Sequence, residues 1–563
     1  MPIRLIDTQT LKMRFFNSSV VPKYAILSHT WVEDEEISLQ EMCAMAEDPG
    51  HAATQKSGYE KIVETCLQAR AHGLQYAWVD TCCIDKSSSA ELSEAINSMF
   101  RWYQESEVCF AFLSDLPADI EDIETALLQG CRWFNRGWCL QELIAPRNVN
   151  FYDEAWNFRG SKSEHKLRTL VSTITGIGED VLKDSSLIHS IPVARRMRWA
   201  SERVTTRVED IAYCLLGIFD VNMPMLYGEG HKAFMRLQEE IIKRSSDMSI
   251  FLFLPSPSLG NRGSYIEDPT NAKADVHVCD MFARSPAAFI ECDSLMRWGQ
   301  EDPFDAQDFQ VSMTNRGVYL GKQTLNFFPQ HRCFALKHKY EFLNLRSENL
   351  PARPEVFLRK IGGNLFVRCQ PCWPVQGQRE PAMVDHEIFI LSQATPSIKS
   401  AGDIRSALNR ALRFQLKSYD KRIHVKLGDP SPQDRWDCST TGFLLPNAFH
   451  FHTRIAIHWE IVDEKWSSSN RQSHTVWLLC EVRKVNSVSS RRIKYMLVES
   501  KPHDENLFSM AEGKFCYYIK DGGVGPFRWY APDFTSFTVQ ISRDGDDDSD
   551  CEIYTCAIDV GGQ

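Results

Sequence analysis

Six consecutive residues, Val108-Cys109-Phe110-Ala111-Phe112-Leu113, carry no polar side chain. A strand with one face in water alternates apolar and polar residues. An unbroken apolar run of strand length points instead to burial on both faces, as in a parallel sheet covered by helices. The flanking sequence agrees. Tyr24-Ala25-Ile26-Leu27 and Tyr76-Ala77-Trp78-Val79 are short runs ending at Ser28 and Asp80, and Val149-Asn150-Phe151-Tyr152 is a fourth. From Gly58 to Ala71, residues Tyr59, Ile62, Val63, Cys66 and Leu67 recur at helical spacing, with Gly73 as a stop. Ser88 and Glu91 have the spacing of a capping box, and Leu92, Ile96, Met99, Phe100 and Tyr103 follow as one stripe. Trp138 to Ile144 reads as a further helix, ended at Pro146.

The order βαβαβαβ predicts a parallel sheet with helices on both faces. In such sheets ligands bind beyond the carboxyl ends of the strands, which is where Ser28, His29, Asp80 and Ser114 fall. Ser28 and His29 are adjacent on a strand and so point to opposite faces, which argues against a nucleophile–base dyad. Ser28 is read as a polar group at the strand end and His29 as a pocket wall. Asp80 either caps a turn or meets a ligand hydroxyl. Cys82-Cys83, with Cys66 or Cys139, lacks zinc-ligand spacing, so buried thiols and no metal are expected.

The chain has 563 residues and a formal net charge of -11, which favours two or three domains and disfavours a nucleic-acid coat. Its 18 cysteines follow no framework spacing, the N-terminus shows no apolar signal region, and no apolar run is long enough for a membrane span. The expectation is a soluble cytoplasmic protein that binds neither nucleic acid nor membrane.

Three blocks carry a family resemblance: Tyr24-Ala25-Ile26-Leu27-Ser28-His29-Thr30-Trp31; Ala77-Trp78-Val79-Asp80-Thr81-Cys82-Cys83-Ile84-Asp85-Lys86, running on through Met99; and Arg136-Gly137-Trp138-Cys139-Leu140-Gln141-Glu142-Leu143-Ile144-Ala145-Pro146. Together they resemble the fungal heterokaryon incompatibility (HET) domain. One departure is Val32, where the family often has glycine. Ala194 to Ala200, Thr205 to Tyr213, Leu215 to Val221 and Leu226 to Gly230 resemble the helical segment that accompanies many such domains, so the likeness covers roughly the first 250 residues. HET domains are in turn similar to Toll/interleukin-1 receptor domains, and the third block resembles the Trp-Cys-x-x-Glu helix of that fold. In its enzymatic members the helix glutamate cleaves NAD⁺; the matching position is Glu142.

The resemblance implies an α/β fold: a parallel, flavodoxin-like and Toll-like sheet flanked by helices, then a helical extension and a β-rich C-terminal region. It implies a role in heterokaryon (vegetative) incompatibility and programmed cell death, akin to innate immunity, through NAD⁺ cleavage upon oligomerisation. NAD⁺ is then substrate, with no cofactor required. The alternative is a non-enzymatic, self-associating signalling scaffold. Either way the expected partners are further copies, through the N-terminal domain, and an incompatibility partner protein. Glu142 is the catalytic candidate; Ser28, His29, Trp31, Asp80, Asp85, Arg136 and Trp138 are the candidates for ligand contact.

The chemistry is compatible with one carboxylate. Nicotinamide in NAD⁺ is cationic and leaves neutral, so the general acid of ordinary glycoside hydrolysis is unnecessary. Positive charge builds on the ribose, and one nearby carboxylate can stabilise it or hold the ribose hydroxyls. The bland alternative makes Glu142 a solvated or salt-bridged helix residue, with Arg136 or Arg147 as partner. For Trp78, Trp138 and Cys139 it is core packing.

The expected boundaries are 1–160 for the HET domain, 161–254 for the helical extension, 255–263 for a linker and 264–563 for a β-rich region, read as two subdomains if Asp403 to Leu416 is a helix. In the extension, Thr206 and Glu209 repeat the capping spacing, Val208, Ile211, Ala212 and Leu215 recur at helical spacing, and Phe234, Leu237 and Ile241 mark a second helix. Gly228-x-Gly230 with Lys232 lacks the full phosphate-loop pattern, so no nucleotide switch is expected. Arg195, Arg196, Arg198, Arg203 and Arg207 form either a solvated face or a contact for NAD⁺ phosphates or an acidic partner. Short strands dominate the rest, among them His386 to Leu391, Ile455 to Trp459, Thr475 to Leu479, Tyr495 to Val498 and Phe515 to Ile519. Cys369-x-x-Cys372 alone is weak for redox or zinc chemistry, and Asp544 to Asp550 lacks the glycine and closing glutamate of a calcium loop.

Overall fold

The computed structural model describes residues 3–17, 21–120, 125–253 and 278–297, and a series of strands between 311 and 561. The first body is a seven-stranded sheet: β1 (Ile3–Asp7), β2 (Met13–Phe16), β3 (Tyr24–His29), β4 (Tyr76–Trp78), β5 (Val108–Phe112), β6 (Val149–Tyr152) and β7 (Phe158–Ser161), in spatial order β2-β1-β4-β3-β5-β6-β7. The pairs β3–β4, β3–β5 and β5–β6 are parallel. Every residue of β3 and β5 is buried, as a doubly covered sheet requires. The four parallel strands thus lie in the order second, first, third, fourth. The order reverses between β3 and β5, and a crevice opens at such a switch point.

The wholly parallel sheet of the sequence reading needs correction at its edges. β1, β2 and β7 pair antiparallel. Only β1 among them is largely buried, so β2 and β7 lack the apolar runs that marked the inner strands.

Local chemistry sets the helices. Ser38 and Glu41 form a reciprocal capping box at the start of Leu39–Glu47. Ser88 caps Ser89–Glu105 by accepting from the Glu91 N–H at 3.3 Å. The other half of that expected box is absent, because the Glu91 carboxylate takes the Asp85 N–H and Arg4 instead, each at 2.7 Å. In Ser57–Ala71 the buried stripe is Gly58, Lys61, Ile62, Thr65, Cys66 and Ala69. This face is rotated from the one predicted: Leu67 is exposed, and a lysine stands on the buried stripe. Cys139–Ile144, behind β3 and β5, is buried at all six positions, and the Lys162 ammonium closes its end by donating to Leu143 O (2.9 Å) and Pro146 O (2.6 Å).

The extension is clamped to the segment that launches this helix. Arg136 bridges Val204, Gly137 N–H donates to Val204 O at 2.9 Å, and Val204 N–H donates to Asn135 O at 2.7 Å. Gly137 permits the approach, since a Cβ there would stand 2.5 Å from Thr205 Cγ2. The expected capping of Glu209 onto Thr206 does not form. The Glu209 carboxylate accepts instead from the N–H groups of Gly228 (2.8 Å) and Gly230 (2.9 Å). Both glycines have positive φ, so their N–H groups converge on an anion, and that anion is the chain's own. Helix Asp210–Tyr213 is short in consequence, and Val208 is exposed. Phe234, Leu237 and Ile241 are buried along Lys232–Arg244, as their spacing predicts.

Beyond residue 278 the described chain is almost all strand. Apolar residues from Met281 to Ile390 join the core of the first body, while those from Leu412 to Val560 form a second core. Four of the five predicted C-terminal strands lie within strands or at their ends, and of the fifth only Tyr517–Tyr518 is described. The expected helix from Asp403 to Leu416 is overturned over its described part. Arg410–Ser418 is a strand pairing parallel with Glu552–Gly561, and its alternation of buried Leu412 and Phe414 with Arg413 and Gln415 has a period of two. The linker 255–263, Cys372 and 545–550 lie outside the described residues. Among the described residues no helix is long and apolar enough to cross a membrane.

Candidate functional site

The cluster at the switch point is built from the ends of β3 and β4 and from helices Arg132–Asn135 and Cys139–Ile144. Ser28, next to last in β3, is fully buried. Its Oγ accepts the indole N–H of Trp133 at 2.7 Å, and its hydroxyl hydrogen-bonds Glu142 Oε2. Because an indole N–H only donates, Trp133 fixes the direction: Ser28 accepts from the tryptophan and spends its own proton on the carboxyl. Glu142 is thereby held in one orientation.

Glu142 is 6% exposed and has no ion-pair partner among the described residues. Neither bland alternative therefore holds for it. Burial pushes its carboxyl up to about 7; the Ser28 hydrogen bond opposes this, the Asp80 charge adds to it, and Arg136 opposes it.

Asp80, at the end of β4, is the contrasting carboxylate. Burial opposes its ionisation too, but the hydrogen bond from His29, with the charges of Lys86 and Arg136, outweighs it and holds the group at about 2. Its Oδ1 lies 3.1 Å from His29 Nε2, and its Oδ2 accepts Trp31 Nε1–H at 3.0 Å. Their surroundings thus drive the titrations of the two carboxyls in opposite directions.

Trp31 is 40% exposed at the rim. Lys86 Nζ stands 3.7 Å and the Arg136 guanidinium 5.0 Å from its ring centroid. Ser28 and His29 serve separate partners, so they form no dyad. Ser114 lies at the same edge, 3.4 Å from Thr30 Oγ1.

The remaining sequence candidates point elsewhere. Asp85 accepts from Gln40, Ser87 and the Ser87 N–H. Trp138 donates to Asp210 of the extension at 3.4 Å. Cys66, Cys82, Cys83, Cys109 and Cys139 are buried free thiols. Among the described residues no group of three or more His, Cys, Asp or Glu is placed to hold a metal ion. Within the arginine cluster, Arg196 and Arg203 are buried. Arg196 donates to Ile218 O (3.0 Å), and Arg203 to Arg136 O (2.9 Å) and Trp199 O (3.2 Å). They bind the extension together rather than forming a solvated face.

Sequence reasoning missed Trp133, Lys61 and Glu36. Lys61 had a readable signal, a charge on an apolar helical stripe. Trp133 and Glu36 had none. Val32 needs no glycine, because the positive φ of this turn falls at Asp34, and the Val32 N–H donates to Glu36 Oε1 at 2.9 Å.

A helix-flanked sheet with a parallel centre, and two buried carboxyls beside its switch point, defines a mixed α/β domain. Residues 24–129 match the family of the heterokaryon incompatibility protein (HET). Over 233 residues, 40% of the chain, the sequence is 46% identical to the vegetative incompatibility protein HET-E-1 of Podospora anserina, and the match spans 16% of that protein's length. No solved structure matches the chain. The likeness to the HET family therefore lies in the N-terminal part of the chain, over the sheet and crevice residues from Tyr24 onward.

Proposed function

We propose that this protein acts in heterokaryon incompatibility and cell-death signalling in the cytoplasm, and that its N-terminal domain cleaves NAD⁺ at the nicotinamide bond once assembled. The observation that carries the reading is Glu142, a buried carboxyl without a cationic partner among the described residues, oriented by Ser28 beside the anionic Asp80. Such a group is poised for positive charge. A cationic nicotinamide ring or a developing oxocarbenium ion beside it favours its ionised form, and the interaction strengthens as charge moves onto the ribose. Asp80 suits the ribose hydroxyls, since each of its oxygens keeps a lone pair free. Lys86 and Arg136 at the rim suit the diphosphate. The parallel strand order matches the flavodoxin-like pattern, which supports a Toll-like reading of the core.

The test is NAD⁺ consumption by the full chain at high protein concentration, wild type against Glu142→Ala. Turnover by the wild type alone supports the proposal; equal turnover in both, or none from folded, assembled wild type, rejects it.

A specific observation favours self-association, with or without turnover. The two edge strands, β2 and β7, carry Phe15 (62% exposed) and Phe158 (53% exposed). Unpaired strand edges bearing exposed aromatics are surfaces for strand addition by a second copy. Phe15→Lys with Phe158→Lys then yields a monomer in light scattering; an unchanged oligomer rejects the edge-to-edge mode.

A further inference from the structure

Lys61 is nearly buried, and an interior ammonium is costly unless its donors are all used. It has three N–H donors and three acceptors within reach: Glu36 Oε1 at 2.5 Å, Thr30 O at 3.2 Å and His29 Nδ1 at 3.4 Å. An ammonium cannot accept, so His29 Nδ1 must. The imidazole proton therefore sits on Nε2, facing Asp80 Oδ1. A doubly protonated ring would turn an N–H against the ammonium, and Glu36 Oε2, 3.9 Å from Nδ1, is too far to receive it. The contacts close into a ring: Lys61 to His29 to Asp80 to Trp31, then through the Val32 N–H and Glu36 back to Lys61.

We propose that Lys61 is a positioning residue, which locks His29 in its Nε2–H tautomer and so presents the Asp80 carboxylate to ligand hydroxyls in one orientation. Lys61 itself never touches the ligand. Its effect on turnover rests on the NAD⁺ reading above; the tautomer lock does not.

The experiment uses the full chain labelled with ¹⁵N-histidine and long-range ¹H–¹⁵N correlation, with His29→Gln assigning the His29 pattern. Wild type is expected to show Nε2–H. Lys61→Met with Glu36→Gln, which leaves no orphaned charge, is expected to lose that single pattern, and Lys61→Arg to restore it. In the NAD⁺ assay the double variant raises KM about tenfold with kcat little changed, and the arginine recovers most of the loss. An Nδ1–H or doubly protonated ring in wild type overturns the proposal without any variant having to fold. So does an unchanged Nε2–H pattern in a folded double variant, or a loss confined to kcat. A locked tautomer in wild type without NAD⁺ turnover rejects the proposed reaction and leaves the lock standing.

Discussion

The two cores of this protein are buried in different ways. In the first, β3 and β5 are covered on both faces, and the buried polar side chains Ser28, His29, Lys61 and Glu142 gather around the carboxyl end of β3. In the second, long strands such as His450–Ile461 and Ser473–Lys484 pair antiparallel, and their buried apolar residues form a contiguous cluster. A sheet closed on both faces leaves its strand ends as the place for polar groups, and the proposed site lies at one of them. The antiparallel sheets bury titratable groups as well, but Lys360, Arg368, Asp437 and Glu481 stand on four different strands. Function and stability are therefore expected to separate under mutation.

The largest separation comes at Glu142. Glu142→Gln keeps the shape and an acceptor for Ser28 but removes the charge, and NAD⁺ turnover is expected to fall about 10² to 10³-fold, the scale of losing one electrostatic stabiliser of a transition state. The same assay on Phe537→Ala is the control that breaks or sharpens the comparison. Phe537 is fully buried in the second core, and its truncation costs about 3–5 kcal/mol. Calorimetry is expected to show one transition lowered and the transition of the first core in place, because the two clusters are separate. Loss of NAD⁺ turnover in Phe537→Ala, while the first transition holds, means the two regions are coupled and the separation fails.

Glu142 also tests whether the site is held at a cost. Its carboxyl titrates at about 7 in the folded protein and near the ordinary 4.5 when unfolded, so between these values the folded state binds the extra proton. The stability this represents is fully present below about pH 4.5 and is lost as the pH rises through 7, by about 3 kcal/mol. Glu142→Gln carries no such titration. Its stability relative to wild type is expected to be near equal at pH 4 and to rise towards pH 8, where denaturant titration finds the variant more stable and inactive. A flat difference across that range means the carboxyl is not desolvated as described.

What was legible in the sequence follows the same division. Apolar runs marked each doubly buried strand, and the residues just beyond them, Ser28, His29 and Asp80, meet at the crevice. Edge strands β2 and β7 were invisible because half-exposed residues leave no run. Partner choice was equally hidden. Glu91 and Glu209 have capping spacing, yet each carboxylate goes to a donor that only the tertiary structure brings near, Asp85 N–H with Arg4 and the two glycine N–H groups. The 410–416 stretch misled because Leu412 and Leu416 also satisfy a helical period, and the parallel partner that makes it a strand lies more than a hundred residues on.

The smallest effect is expected at the back of the site. Lys162 is buried, and burial pulls its ammonium down to about 8. It is nonetheless retained there, because Leu143 O and Pro146 O at the end of the Glu142 helix accept two of its three N–H donors. Lys162→Met fills the space and removes the desolvated charge but orphans both carbonyls, so the two terms oppose, and a net loss of about 1–3 kcal/mol is expected. At pH 7 the variant should unfold earlier, and the gap should widen as the pH rises from 8 towards 10.5. Over that range a wild-type group with a lowered folded value gains stability, and methionine does not. A gap that narrows instead assigns the lysine a charge-dependent role, with its ammonium form favoured by the two carbonyls over the cost of burial.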